Sequence, residues 1–260
     1  MNKYVLFFLL LLATTASHGQ KLKAVYQYIL SPMATYREEV FFQDGVKTSV
    51  RDSILLKRTD ASAAEDRDED MSSGMSVMID MGKVYRNIVI HKNNVPELLE
   101  TASLKGINYL VSDDFPSLDW NTSYSDVDTL GKHICHKATA AYRGTKLVAY
   151  YTNDIPVPAG PYKFGGLPGL IVMLYNEGAN PHYWLLQEID YPFTGDVPVN
   201  ERYIQSLPKL SLADYVKKTD LENEEQMRMM MSKMPLTEGI TVERKKVRGS
   251  VEQVYEWEKN

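Results

Sequence analysis

The stretch 161-PYKFGGLPGLIVMLY-175 sets three glycines and two prolines directly before six apolar residues. Leu167-Pro168-Gly169-Leu170 fits a type II turn. Proline holds φ near −65° at its second position, and glycine accepts a positive φ at its third. Gly165 and Gly166 carry no Cβ, so another backbone or a ring can approach them closely. Upstream, Pro156, Pro158 and Pro161 favour an extended path that pairs with no neighbour. Leu170 to Leu174 is apolar at every position, the pattern of a strand covered on both faces. Gly165, Gly166, Leu167, Pro168, Gly169, Leu170 and Ile171 therefore read as one structural motif: a stiff crossover, a tight corner and a core strand. The rival reading is a phosphate cradle, which requires a Lys-Ser/Thr pair and a helix start after the glycines. Aliphatic residues follow instead.

Outward from this motif the chain alternates like a β protein. The segments 24-AVYQYIL-30 and 36-YREEVFFQDG-45 read as strands, with Asp44-Gly45 turning the second back into 46-VKTSVRDSILLKR-58. Residues 75–92 read as two short strands around Gly82. Residues 130–142 and 146–153 flank Arg143-Gly144-Thr145 as another hairpin. The stretch 96-PELLETASLKG-106 has helical spacing and ends at a glycine, so it reads as a short helix or a loop. Small and acidic residues at 59–74 read as a mobile loop. Asp66, Asp68 and Asp70 there imitate half a calcium loop but lack its later glycine and glutamate. Ser211 can cap a helix over 212–218, and Thr219 or Asp220 a second one to Met234. Met227, Met230, Met231 and Met234 fall on one face of that helix and are expected to fill core gaps. Residues 239–260 read as a marginal hairpin or loose tail. The expected fold is mainly β, of α+β type. It is an antiparallel, strongly curved sheet or half-barrel with C-terminal helices on one face or end. Residues 20–260 form a single domain.

The N-terminus, MNKYVLFFLLLLATTASHGQK, places Lys3 before a short apolar core and small residues. This is a secretory signal over 1–19, with cleavage after Gly19 or Ala16. Its core is too short for a bilayer span, which takes about 20 residues. No cysteine lies there to anchor a lipid. The expected location is the periplasm or cell envelope, with no transmembrane anchor. Net charge is −5 and mixed in sign along the chain, so nucleic acid is not an expected partner. Cys135 is the single cysteine, which excludes an intramolecular disulfide.

Three residues could carry chemistry. His133, Cys135 and His136 offer imidazole and thiolate donors for copper or zinc, if His91, His182 or a methionine supplies another ligand. On a strand, His133 and Cys135 share one face and His136 takes the other. The bland alternative is a buried cysteine with histidines at strand edges, and then no cofactor is needed. A cysteine nucleophile would require a base from a distant segment, and nothing nearby favours the thiolate.

The chain resembles the GLPGLI family of exported Bacteroidetes proteins, first noted in Porphyromonas. The resemblance rests on Trp120, Cys135-His136-Lys137-Ala138, Ala149-Tyr150-Tyr151-Thr152, Ile155-Pro156, Gly160-Pro161, Phe164 and Gly166–Ile171. Tyr150 stands where that family often has tryptophan. The resemblance implies an exported β protein of no established activity, associated with outer-membrane receptor systems. The expected role is a binding or accessory protein for an apolar or extended ligand, rather than an enzyme. The alternative is a metal-binding exported protein using His133, Cys135 and His136.

Overall fold

The computed structural model describes residues 21–31, 34–52, 86–92, 95–178, 181–233 and 248–258. The expected signal segment 1–19, the acidic loop 59–74, the strand before Gly82, Met234 and the stretch 239–247 lie outside the described residues.

Alternation builds β1 (Leu22–Ser31), β2 (Ala34–Gln43), β3 (Val46–Asp52), β4 (Arg86–Lys92), β5 (Glu97–Leu104) and β6 (Ile107–Asp114). It continues in β7 (Val127–Leu130), β8 (His133–Tyr142), β9 (Thr145–Thr152), β10 (Leu170–Glu177) and β11 (Tyr183–Asp190). A short β12 (Lys209–Ser211) lies between helices α1 (Glu201–Ser206) and α2 (Leu212–Ser232). The twelve strands form one sheet in the order β12-β6-β5-β4-β3-β2-β1-β11-β10-β9-β8-β7.

Several hairpins follow the sequence directly. Asp44 and Gly45 both take positive φ (52° and 75°), as do Arg143 and Gly144 (41° and 79°). This twist matches the strands that such turns join. The reading of 96–106 as a helix or loop is corrected. Lys105 and Gly106 take φ of 50° and 76°, so Gly106 closes a hairpin between β5 and β6 instead of ending a helix. Leu98, Glu100 and Ala102 then share one face of a strand.

The expected half-barrel is also corrected. The sheet is open: β12 and β7 are its two ends, and it does not curl strongly. It is not wholly antiparallel, because β12 pairs parallel with β6. The reason is that other chain segments cover its faces. On one face, residues 155–169 pack into the main core with Tyr26, Phe42, Trp184 and Leu174. On the other, Phe41, Val50, Ile88 and Leu110 pack with Ile204 of α1 and with Phe193, Val197 and Val199. A sheet covered on both sides has no need to close on itself.

The helices thus divide between the faces. Leu212 and Val216 of α2 pack on Ala102 and Val111, beside Tyr255. Ser211 caps α2 as its sequence predicts, accepting from the Asp214 N–H. No break occurs at Thr219 or Asp220, and one helix runs through both. The methionine stripe is not core. Met227, Met229 and Met230 are about half exposed, because only the first turns of α2 reach the sheet. The C-terminal tail is docked, with the backbone N–H groups of Gln253 and Val254 both donating to Arg143 O (2.9 Å).

Candidate functional site

Between β9 and β10 the chain leaves the sheet and folds over it. Its backbone groups are satisfied locally. Gly166 N–H donates to Pro158 O (3.1 Å), Leu170 N–H to Ile155 O (3.1 Å) and Ile171 N–H to Ala159 O (3.0 Å). Leu170 to Leu174 then enters β10, flanked by β9 and β11 in the middle of the sheet. This is the core strand that its unbroken apolar run predicts.

The corner differs from a type II turn. Positive φ falls at Gly166 (85°) and not at Gly169. Gly169 is required for space: a Cβ there would stand 1.9 Å from Thr152 O, where β10 meets β9. Gly165 is similar, since its Cβ would meet Pro158 O at 2.9 Å.

The tip of the fold-over, Tyr162-Lys163-Phe164, is what the sequence reading passed over. Lys163 is 1% exposed. Its ammonium lies 3.0 Å from Glu100 and 3.1 Å from both Asp113 and Glu252. Arg143 completes the cluster. It grips Asp113 through two guanidinium nitrogens (2.6 and 2.8 Å), donates to Glu252 (2.5 Å) and reaches Glu256 (3.2 Å). Burial works against charge on Lys163, Arg143, Asp113 and Glu252, but their mutual attraction outweighs it. Lys163 is held well above the ordinary lysine value by Glu100, Glu252 and Asp113. Asp113 and Glu252 are held below the usual carboxylate range by Arg143 and Lys163.

A second group sits beside it. Tyr162 takes φ of 53°, uncommon for a residue with a Cβ. Its N–H donates to the buried Glu38 carboxylate, which also accepts from Ser49 Oγ (2.8 Å) and Trp184 Nε1 (3.1 Å). Arg51 approaches the same carboxylate at 3.8 Å and lies over the rings of Tyr28 (4.7 Å) and Tyr162 (5.6 Å). Asn87 accepts from Arg51 (3.2 Å) and donates to Glu100 (2.9 Å), joining the two groups.

Two clefts flank the tip. One, of about 510 Å³, lies between the sheet, α2 and the C-terminal tail. Its walls include Tyr28, Tyr36, Tyr162, Tyr215 and Tyr255, with Arg51, Glu100, Glu252 and Arg248 among them. The other, of about 540 Å³, is bounded by Lys47, His91, Phe115, Leu118, Gly165 and Gly166.

A sequence signal for these residues exists. Glu38, Glu100 and Asp113 occupy the inward phase of strands whose other inward residues are apolar, and Arg51 faces the same side from β3 beside Ser49 and Lys47. A charge in that phase must find a partner or a cleft.

The expected metal donors are not gathered. Cys135 is fully buried and its thiol lies 3.6 Å from His133 O. His136 packs its ring near Tyr151 (5.7 Å). His91 is on β4, and its Nε2–H donates to Val95 O (3.1 Å). His182 is buried against Tyr28, whose hydroxyl lies 2.6 Å from Nδ1. Burial and the charge of Arg51 push His182 down to about 4. No three His, Cys, Asp or Glu side chains form a metal-holding group among the described residues. Burial raises the Cys135 thiol to about 11, so little thiolate exists at neutral pH. An aromatic disulfide reagent at pH 7.5 is expected to leave the native protein unmodified and to label one thiol per chain in urea. Rapid labelling without urea would overturn this. Among the described residues no helix is long and apolar enough to cross a membrane.

No curated protein matches the chain. Two solved structures of PNGF-II, in P21 and C2 space groups, are similar to it at a TM-score of 0.46 and 11% identity. They cover 76% of this chain, which spans about a third of theirs (33% and 32%). An uncharacterized conserved protein from Thermus thermophilus is similar at a TM-score of 0.38 and 10% identity, over 80% of this chain and 99% of that one. Residues 121–173 match the family described as protein of unknown function (Porph_ging), a stretch that holds β7 to β9, the folded-over segment and the start of β10.

Proposed function

We propose that the chain is an exported, GLPGLI-type protein of the periplasm or cell envelope that binds an extended ligand without transforming it. The observation that carries this reading is the cleft of about 510 Å³ whose tyrosine walls alternate with Arg51, Glu100 and Glu252. Its volume falls in the range of small-ligand sites. Tyrosine rings give flat apolar contact with a hydroxyl at the edge. Charged groups among them favour a ligand with hydroxyls, amides or ionic groups, because an acyl chain would strip water from them and offer no hydrogen bond in return. Of the apolar or extended ligand expected from the sequence, the extended one therefore fits better, as a polar molecule. An association with outer-membrane receptors, implied by the GLPGLI resemblance, is compatible with such a carrier. A copper or zinc site at His133, Cys135 and His136 would require a donor other than the described His, Cys, Asp and Glu side chains, such as a methionine.

The test is a screen of oligosaccharides and short peptides by thermal melting. Asn223 lines the cleft from the exposed side of α2, so Asn223→Trp narrows the cleft without touching the core. At least one compound is expected to raise the melting temperature of the wild type and to bind tenfold or more weakly to Asn223→Trp. A panel with no binder, or binding indifferent to Asn223→Trp, overturns the reading.

A further inference from the structure

Lys47 and Lys163 are both buried amines beside the folded-over segment, yet their surroundings are opposite. Lys163 is ringed by carboxylates. Lys47 is 5% exposed and donates to Phe164 O (2.5 Å). No carboxylate stands within ion-pair distance of Lys47 among the described residues. The charged and titratable groups that face it are Glu38 on β2, His91 on β4 and Lys163 on the tip. Glu38 acts from beyond contact distance. The register places Phe42, Lys47 and His91 side by side on three adjacent strands, pointing to the covered face. All three line the second cleft, whose opposite side is Pro158, Gly165 and Gly166.

From this arrangement we infer that Lys47 is a carbonyl-binding amine and that the second cleft takes a small aldehyde or ketone. A buried lysine without a counter-ion favours its neutral form. Burial lowers Lys47 to about 7, against the opposing pull of Glu38. At neutral pH its free-base fraction then exceeds that of an exposed lysine roughly a thousandfold. The nitrogen lone pair attacks the carbonyl carbon. A C–N bond forms and the C=O π pair passes to oxygen, giving a carbinolamine. Loss of water, with both amine hydrogens leaving, gives an imine, so no oxidant or reductant is required. His91 uses its Nε2–H on Val95 O. Its Nδ1 is left as a proton acceptor at the position next to Lys47, and burial favours the neutral ring. This site is separate from the tyrosine-walled cleft, so it stands or falls independently of the binding role proposed there.

The test uses pyridoxal as the probe aldehyde on the folded full-length chain at pH 7.5, with borohydride trapping, intact mass and peptide mapping. The expected result is one adduct per chain at Lys47, with Lys163 unmodified. The labelling rate should level off above pH 8 instead of climbing to pH 10. The adduct should be absent from Lys47→Arg. The peptide map of the wild type is decisive even if that variant fails to fold. Adducts scattered over exposed lysines with Lys47 untouched overturn the inference, as does labelling that rises steadily to pH 10.

Discussion

Replacing Lys163 with methionine is expected to lower the unfolding free energy by about 3–5 kcal/mol at pH 7, the usual cost of leaving a buried ion cluster without one partner. Lys163 touches Glu100, Asp113 and Glu252, all largely or wholly buried. Methionine would leave Asp113 to Arg143, Glu252 to Arg143 and the Tyr142 hydroxyl, and Glu100 to Asn87 and Tyr162. The pH dependence follows from the directions of the shifts. Lys163 is raised in the fold. Its contribution is full below the unfolded lysine value, near 10.4, and disappears as pH rises through the folded value. Asp113 and Glu252 are depressed. Their contribution is full above their unfolded values, near 4, and disappears as pH falls through the folded ones. The gap between wild type and Lys163→Met should therefore be widest between about pH 5 and 9 and shrink in acid. Urea unfolding at pH 3, 7 and 9, with similar m-values for the two proteins, measures it. Equal midpoints at pH 7 would show that the cluster contributes nothing.

Gly169→Ala is expected to cost about 3 kcal/mol or more, while Gly166→Ala costs only about 1–2 kcal/mol. The ranking inverts what turn geometry alone implies. At Gly166 the backbone is left-handed, but an added Cβ meets nothing within 4 Å. At Gly169 the backbone is ordinary, but the Cβ would collide with Thr152 O and the carbonyl carbon behind it (1.9 and 2.8 Å). Both are main-chain atoms of a paired strand end and cannot swing aside as a flexible side chain would. For a chain of this size each kcal/mol lowers the melting temperature by about 2–4 °C. Gly169→Ala should thus melt at least several degrees below Gly166→Ala. The reverse order would show that the left-handed backbone at Gly166 costs more than the collision at Gly169.

Part of this fold is legible from local pattern. The hairpins at Asp44-Gly45 and Arg143-Gly144 follow from two-residue turns that require positive φ. The central place of β10 follows from an apolar run with no polar phase. The Ser211 cap follows from one hydroxyl before a helical run. Other elements misled for identifiable reasons. Leu98, Leu99 and Ala102 satisfy a helical period, yet Lys105-Gly106 and β6 draw them into a hairpin. The Met227–Met231 stripe resembles a core face, but amphipathic spacing cannot tell whether a partner reaches that far along α2. His133, Cys135 and His136 stand out because they are close in sequence, a cue that widely separated residues lack. The site residues are scattered from Glu38 to Glu252, and only their inward phase marked them.

The sequence alone determined most of the segments that pair as strands, the hairpins at Asp44-Gly45 and Arg143-Gly144, and that residues 170–174 lie inside. Those outcomes depend on φ preferences and on side-chain alternation, which neighbouring residues settle among themselves. Only the tertiary structure decided that the sheet stays open, that Tyr162-Lys163-Phe164 is pressed into its face, and that Lys163 is paired while Lys47 is not. The last distinction rests on contacts between residues far apart in the chain, and the energy of a buried charge depends on those contacts more than on the residue that carries it.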